Sequence, residues 1–135
     1  MTRRVLIAVL FGALALPLAA QKPGPDIVPV YEGFLKNADG SYELLFGYYN
    51  RSWTDVADIP VGANNAVSPG QPDQGQPAHF YPRRSRFVFK IHVPADFGNK
   101  EVVWTLTAGG ASQKAYGTLK PEYAMDDNVL MANYG

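Results

Sequence analysis

Residues 86–93 read RFVFKIHV, and their alternation decides the fold. Phe87, Phe89, Ile91 and Val93 fall on one side of an extended chain, and Arg86, Val88, Lys90 and His92 on the other, the period-two pattern of a strand with one buried face. The neighbouring segment EVVWTLT (101–107) repeats the pattern, with Val102, Trp104 and Leu106 as the inward set. Pro94, Gly98 and Asn99 in VPADFGNK (93–100) join the two as a tight loop. Gly109 and Gly110 supply a turn after 107, predicting a return strand over about 112–119. Upstream, VPVYEGFLK (28–36) and SYELLFGYYN (41–50) flank NADG (37–40), a hairpin-turn composition, so these two segments pair antiparallel. In the second of them Tyr42, Leu44, Phe46 and Tyr48 share one face, while Leu45 and Tyr49 take the other. No window shows useful helical periodicity. Short strands with turn signals about every ten residues predict an all-β, antiparallel β-sandwich.

The pattern fades over 54–84, which contains SPGQPDQGQPAHFYPRR (68–84). Prolines fix φ and remove backbone donors, so this stretch is excluded from a central strand, yet they reduce the entropy lost when it is ordered. Val56, Ile59, Val61, Val67, Phe80 and Tyr81 give the region apolar groups to bury, unlike a low-complexity linker. It therefore reads as one long ordered Pro/Gly-rich loop draped over the sheets, suited either to recognition or to capping an open sheet edge. Within it, Phe80 is expected to pack inward and Gln71 to Gln76 to stay exposed. The tail after Pro121 is expected to add an edge strand or to fray.

The first twenty residues, MTRRVLIAVLFGALALPLAA, place Arg3 and Arg4 before an apolar run that ends near Pro17 and Ala19-Ala20, the plan of a secretory signal peptide. A run of about a dozen apolar residues is short for a membrane span. Cleavage after Ala20 leaves residues 21–135 as a single domain and predicts a secreted or periplasmic protein. The chain carries 12 basic and 12 acidic side chains, and loss of Arg3 and Arg4 leaves ten against twelve. This balance does not favour nucleic acid as a partner. The absence of cysteine excludes a disulfide framework and thiolate metal sites.

Catalytic and cofactor signatures are weak. NADGSYE has the oxygen-bearing residues of a calcium loop, but Leu35 stands where a ligand is required and the flanks are strands. His79 and His92 lie on different segments and do not make a metal set, and there is no GxSxG elbow. No cofactor is predicted. The aromatic and basic set Tyr48, Tyr49, Trp53, Tyr81, Arg83, Arg84 and Arg86 forms the candidate partner-binding group, because tryptophan, tyrosine and arginine are enriched at recognition surfaces. The alternative is that the aromatics are core, with arginine stems packed over them and the heads paired to Asp55, Asp58 or Asp73.

The succession YEGF (31–34), NADGSYELLFGYYNR (37–51), IPVGANN (59–65), GQPAHFYPRR (75–84), VPADFG (93–98) and VVWTLT (102–107) resembles a group of small, uncharacterised exported bacterial proteins. That resemblance spans nearly all of residues 21–135 and carries no activity with it. At the level of architecture the strand pattern is similar to immunoglobulin and fibronectin type III domains, without the cysteine pair of antibody domains. The expected function is a non-enzymatic exported module that binds a protein or glycan partner, with a structural role in an envelope or extracellular assembly as the alternative and an enzyme of unrecognised type as a third reading.

Overall fold

The computed structural model describes residues 26–133, so the expected signal peptide lies outside the described residues. Eight strands follow in order: β1 Ile27–Lys36, β2 Tyr42–Asn50, β3 Ala57–Asp58, β4 Asn65–Ser68, β5 His79–Phe80, β6 Arg83–Val93, β7 Val102–Ala108 and β8 Ala111–Gly117. All strand pairings are antiparallel. One three-stranded sheet has the order β1-β2-β6, a second has β4-β7-β8, and β3 with β5 forms a small ribbon. The protein is thus an antiparallel all-β structure in which the two larger sheets bury one shared core.

The β1–β2 turn shows why NADG closes a hairpin. Asn37 and Ser41 are joined through the backbone, and the Ser41 amide and hydroxyl both donate to Asp39 Oδ1. Those bonds, the hydroxyl's first, hold the Asp39 carboxyl below the usual carboxylate range. Gly40, at φ 88°, supplies the left-handed residue the turn demands.

Alternation then fills the core. Leu44, Phe46 and Tyr48 from β2, Phe89, Ile91 and Val93 from β6, and Val102, Trp104 and Leu106 from β7 are buried in one cluster. Phe46 and Phe89 stack at 5.2 Å, and the Trp104 indole meets Phe46 and Phe89 nearly edge-on at 6.3 and 4.9 Å. Gly117 on β8 is a close approach: a Cβ there would lie 2.8 Å from the Phe46 ring. Tyr31 on β1 leans on Phe46 and donates its hydroxyl to the Thr118 carbonyl at 2.6 Å. Burial pushes that hydroxyl's pKa upward, against the opposing effect of the hydrogen bond.

Three expectations need correction. Phe87 does not continue the inward face of β6. The register passes from Phe46↔Phe89 to Tyr48↔Ser85, so three residues of β6 oppose Gly47 alone, and Phe87 takes φ 51° inside this bulge. It is half-buried and lines a groove with Leu35, Leu45 and Leu130. The region 54–84 is not one strandless loop, since β3, β4 and β5 lie within it and β4 is a full member of the second sheet. Among the described residues the tail adds no edge strand. Its Ala124 bridges Phe34 and the Met125 amide donates to the Phe34 carbonyl, after which Asp127–Asn133 forms a short helix, α1. Among the described residues no helix is long and apolar enough to cross a membrane.

Candidate functional site

The seven candidate residues are divided by the fold into surface, frame and core. β2 ends at Asn50, which is fully buried and carries the turn that follows. Its side-chain amide donates to the carbonyls of Asp55 and Phe80 at 2.8 and 3.3 Å, and its Oδ1 accepts from the Ser52 amide at 3.0 Å. The turn so fixed holds Trp53 out into solvent, 76% exposed. Opposite it, the Arg83 amide donates to the Ser52 carbonyl, and Arg83 sits at φ 69°, a conformation costly for a side chain with a Cβ. That geometry lays its guanidinium over the Trp53 ring, 3.6 Å from the centroid, with the Tyr49 ring at 5.1 Å. Tyr81, two residues before Arg83 in the chain, is 63% exposed, and its amide donates to the Tyr48 hydroxyl. His79 meets the Tyr81 ring at 4.9 Å and bonds Asp58 through Nδ1 at 2.6 Å.

Arg84 belongs to the frame. Its guanidinium pairs with Glu32, whose side chain is 9% exposed, and also donates to the Tyr48 and Ser85 carbonyls. Gly47 is required beneath that pair, because a Cβ there would fall 2.4 Å from Glu32 Oε1 and 2.5 Å from the Ser85 carbonyl. Arg86 lies away from the stack and donates to Asn133 of α1. Among the described residues the arginines do not pair with Asp55, Asp58 or Asp73: Asp58 serves His79, and Arg84 takes Glu32 instead. Tyr48 is core, 2% exposed, with its ring edge-on to Phe80 at 4.8 Å. Tyr49, Trp53 and Arg83 are therefore brought together, Tyr81 is exposed with its ring against His79, and Tyr48, Arg84 and Arg86 are not surface members of that group.

The Pro-rich stretch has an edge to cover. Residues 65 and 67 turn their backbone groups away from β7, and the Val67 amide donates to the Pro72 carbonyl at 3.1 Å. Gln76 Nε2 bridges the same Pro72 carbonyl, at 2.6 Å, and the Asn65 carbonyl, while its Oε1 accepts from the Gln74 amide. The stretch thus caps the open side of β4. Phe80 packs inward as expected, fully buried. Gln76 does not follow the expectation for 71–76: it is 6% exposed and functions as a buried strut. Gln76→Ala should cost about 1 to 3 kcal/mol by removing the hydrogen bonds of a buried amide and leaving the Gln74 amide without its partner, whereas Gln71→Ala, at an exposed position, should stay within about 0.5 kcal/mol. Urea denaturation of the two variants checks the contrast; equal costs would show that Gln76 is not the strut.

Sequence reading missed Asn50, Asn65 and Gln76, since a buried amide has no periodic signature. Among the described residues there is no group of three or more His, Asp or Glu side chains placed to hold a metal ion. Comparison with protein-family models, with curated proteins and with solved structures returned no match to this chain.

Proposed function

We propose that the chain is an exported, non-enzymatic binding module, a two-sheet sandwich of immunoglobulin or fibronectin type III kind, that engages a protein or glycan partner in the periplasm or extracellular space. The observation that carries the reading is the exposed Trp53 indole with the Arg83 guanidinium held on its face. An isolated exposed apolar residue is ordinary, but here a strained Arg83 backbone and a buried Asn50 hub fix the ring in place, and Tyr49 lies on the same guanidinium. A pre-positioned aromatic surface loses little side-chain entropy on binding, and tryptophan, tyrosine and arginine dominate binding hot spots.

The double variant Trp53→Ala/Tyr81→Ala should melt within a few degrees of the parent and lose capture of its partner from envelope extract, while Arg86→Ala keeps it. Crosslinking and mass spectrometry of the captured species read the outcome. Retention of the same species by the double variant would refute the assignment. The assembly reading has one supporting feature, the eleven-residue β6 at a sheet edge. Its bulge, together with Arg86 and Lys90 on its exposed side, opposes edge-to-edge pairing, which places that reading second.

A further inference from the structure

Among the described residues the arginines are Arg51, Arg83, Arg84 and Arg86, and three of them have a polar partner for the side chain. Arg51 pairs with Asp26 at 3.2 Å, Arg84 pairs with Glu32, and Arg86 donates to Asn133 at 3.2 Å. The Arg83 guanidinium makes neither an ion pair nor a hydrogen bond among the described residues; its contacts are the Trp53 and Tyr49 rings. It is nonetheless half-buried, on a backbone held at φ 69°. Such a backbone costs at least as much as one exposed cation–π contact returns, so the contact with Trp53 does not by itself account for it. A guanidinium lying on a ring presents its N–H donors at its edge, and here those donors are unused.

Resting on the reading of the Trp53 surface as a binding surface, we propose that Arg83 is its anchor for a carboxylate, and that the partner is a protein presenting an acidic side chain beside an apolar one. The guanidinium fork matches a carboxylate through two parallel hydrogen bonds, and the exposed indole receives the apolar neighbour. Charge selects the anion. Asp26 and Glu32 already neutralise Arg51 and Arg84, which leaves one uncompensated cation in the stack, a match for a monoanion and not for a phosphate group of nearly two charges. The acceptors of the frame select a peptide over an acidic sugar. Asp26 accepts from Arg51 and Gln113, Glu32 from Arg84, and Asn50 Oδ1 from the Ser52 amide, so these oxygens are engaged where the hydroxyls of a uronate need acceptors.

Titration of the isotope-labelled protein with the peptide acetyl-Gly-Glu-Leu-Glu-Gly-amide, followed by NMR at the Trp53 indole N–H, tests the anchor. The peptide with glutamine in place of both glutamates, and digalacturonate, are the comparison probes at the same ionic strength. Saturable binding of the glutamate peptide is expected, about tenfold tighter than either comparison. Arg83→Lys keeps the charge and loses the fork, while Arg83→Gly removes the guanidinium and adopts φ 69° without strain. Each should weaken binding about tenfold, and Arg83→Gly should melt within a few degrees of the parent, so its loss of binding is not a loss of fold. Arg86→Ala should bind like the parent. Absence of saturable binding, equal affinity for either comparison probe, or full affinity in either Arg83 variant would each overturn the anchor. The surface reading fails separately, through retained capture by Trp53→Ala/Tyr81→Ala; capture lost in that variant but kept by Arg83→Gly would leave the surface standing and refute the carboxylate anchor.

Discussion

Replacing Trp104 by alanine is expected to lower the unfolding free energy by about 3 to 5 kcal/mol, the range for deleting a large buried aromatic and leaving a cavity. Trp104 is fully buried on β7, the middle strand of the second sheet. Its ring is where three parts of the protein meet: Phe46 and Phe89 of the first sheet on its edges, and Phe80 of the Pro-rich stretch stacked at 6.3 Å. Main-chain pairing on both sides, to Val67 and to Ala115, prevents β7 from moving inward to fill the gap. Against a typical domain stability of about 5 to 15 kcal/mol, a loss of this size leaves little margin. Urea denaturation followed by far-ultraviolet circular dichroism measures it. Should the alanine variant fail to fold at all, Trp104→Phe keeps most of the packing and gives a smaller, measurable loss. An alanine variant within about 1 kcal/mol of the parent would mean that the sheets do not share this core.

The strands were legible because their evidence is repeated along the chain. Phe89, Ile91 and Val93 on β6, and Val102, Trp104 and Leu106 on β7, are buried as the alternation requires, and each position supports its neighbours. The hairpin turn was legible because Asp39 and Gly40 act locally, through hydrogen bonds and φ that the residue types themselves favour. Phe87 departed because a bulge is a two-strand property: the extra residues of β6 appear only when it is aligned against Gly47. The same reason hid β4, whose four residues acquire strand geometry from β7 on one side and from Pro72 and Gln76 on the other. The helix α1 buries no residue, so it leaves no apolar stripe to read. In the candidate site, the residue types were legible but their sorting was not. Exposure of Trp53 and burial of Tyr48 depend on Asn50, whose amide organises the turn through partners as far away as Phe80.

Asn65→Ala is expected to cost roughly 3 to 5 kcal/mol, comparable to losing the tryptophan ring, although it removes only a small polar group. The size follows from what the amide connects. Asn65 is fully buried, its Oδ1 accepts from Trp104 Nε1 at 2.9 Å, and its Nδ2 donates to the carbonyls of Ile59 and Pro77 at 2.9 and 2.8 Å. Deletion therefore strands one donor and two acceptors, each worth about 1 to 3 kcal/mol when left buried without a partner. Water can reach the partly buried Pro77 side and relieve part of that cost, which keeps the total below the upper sum. The effect should also be local in character: with both carbonyls released, residues 69–77 lose their anchor and become the first site of limited proteolysis, while β1, β2 and β6 keep their protection. A double-mutant cycle isolates the central bond. Trp104→Phe removes only the indole N–H from this network, so in the Asn65→Ala background it should cost less than in the parent, by about 1 to 2 kcal/mol of coupling. Additive losses would show that the indole and the amide act independently, and the Asn65 amide would then hold the Pro-rich stretch without help from the Trp104 indole.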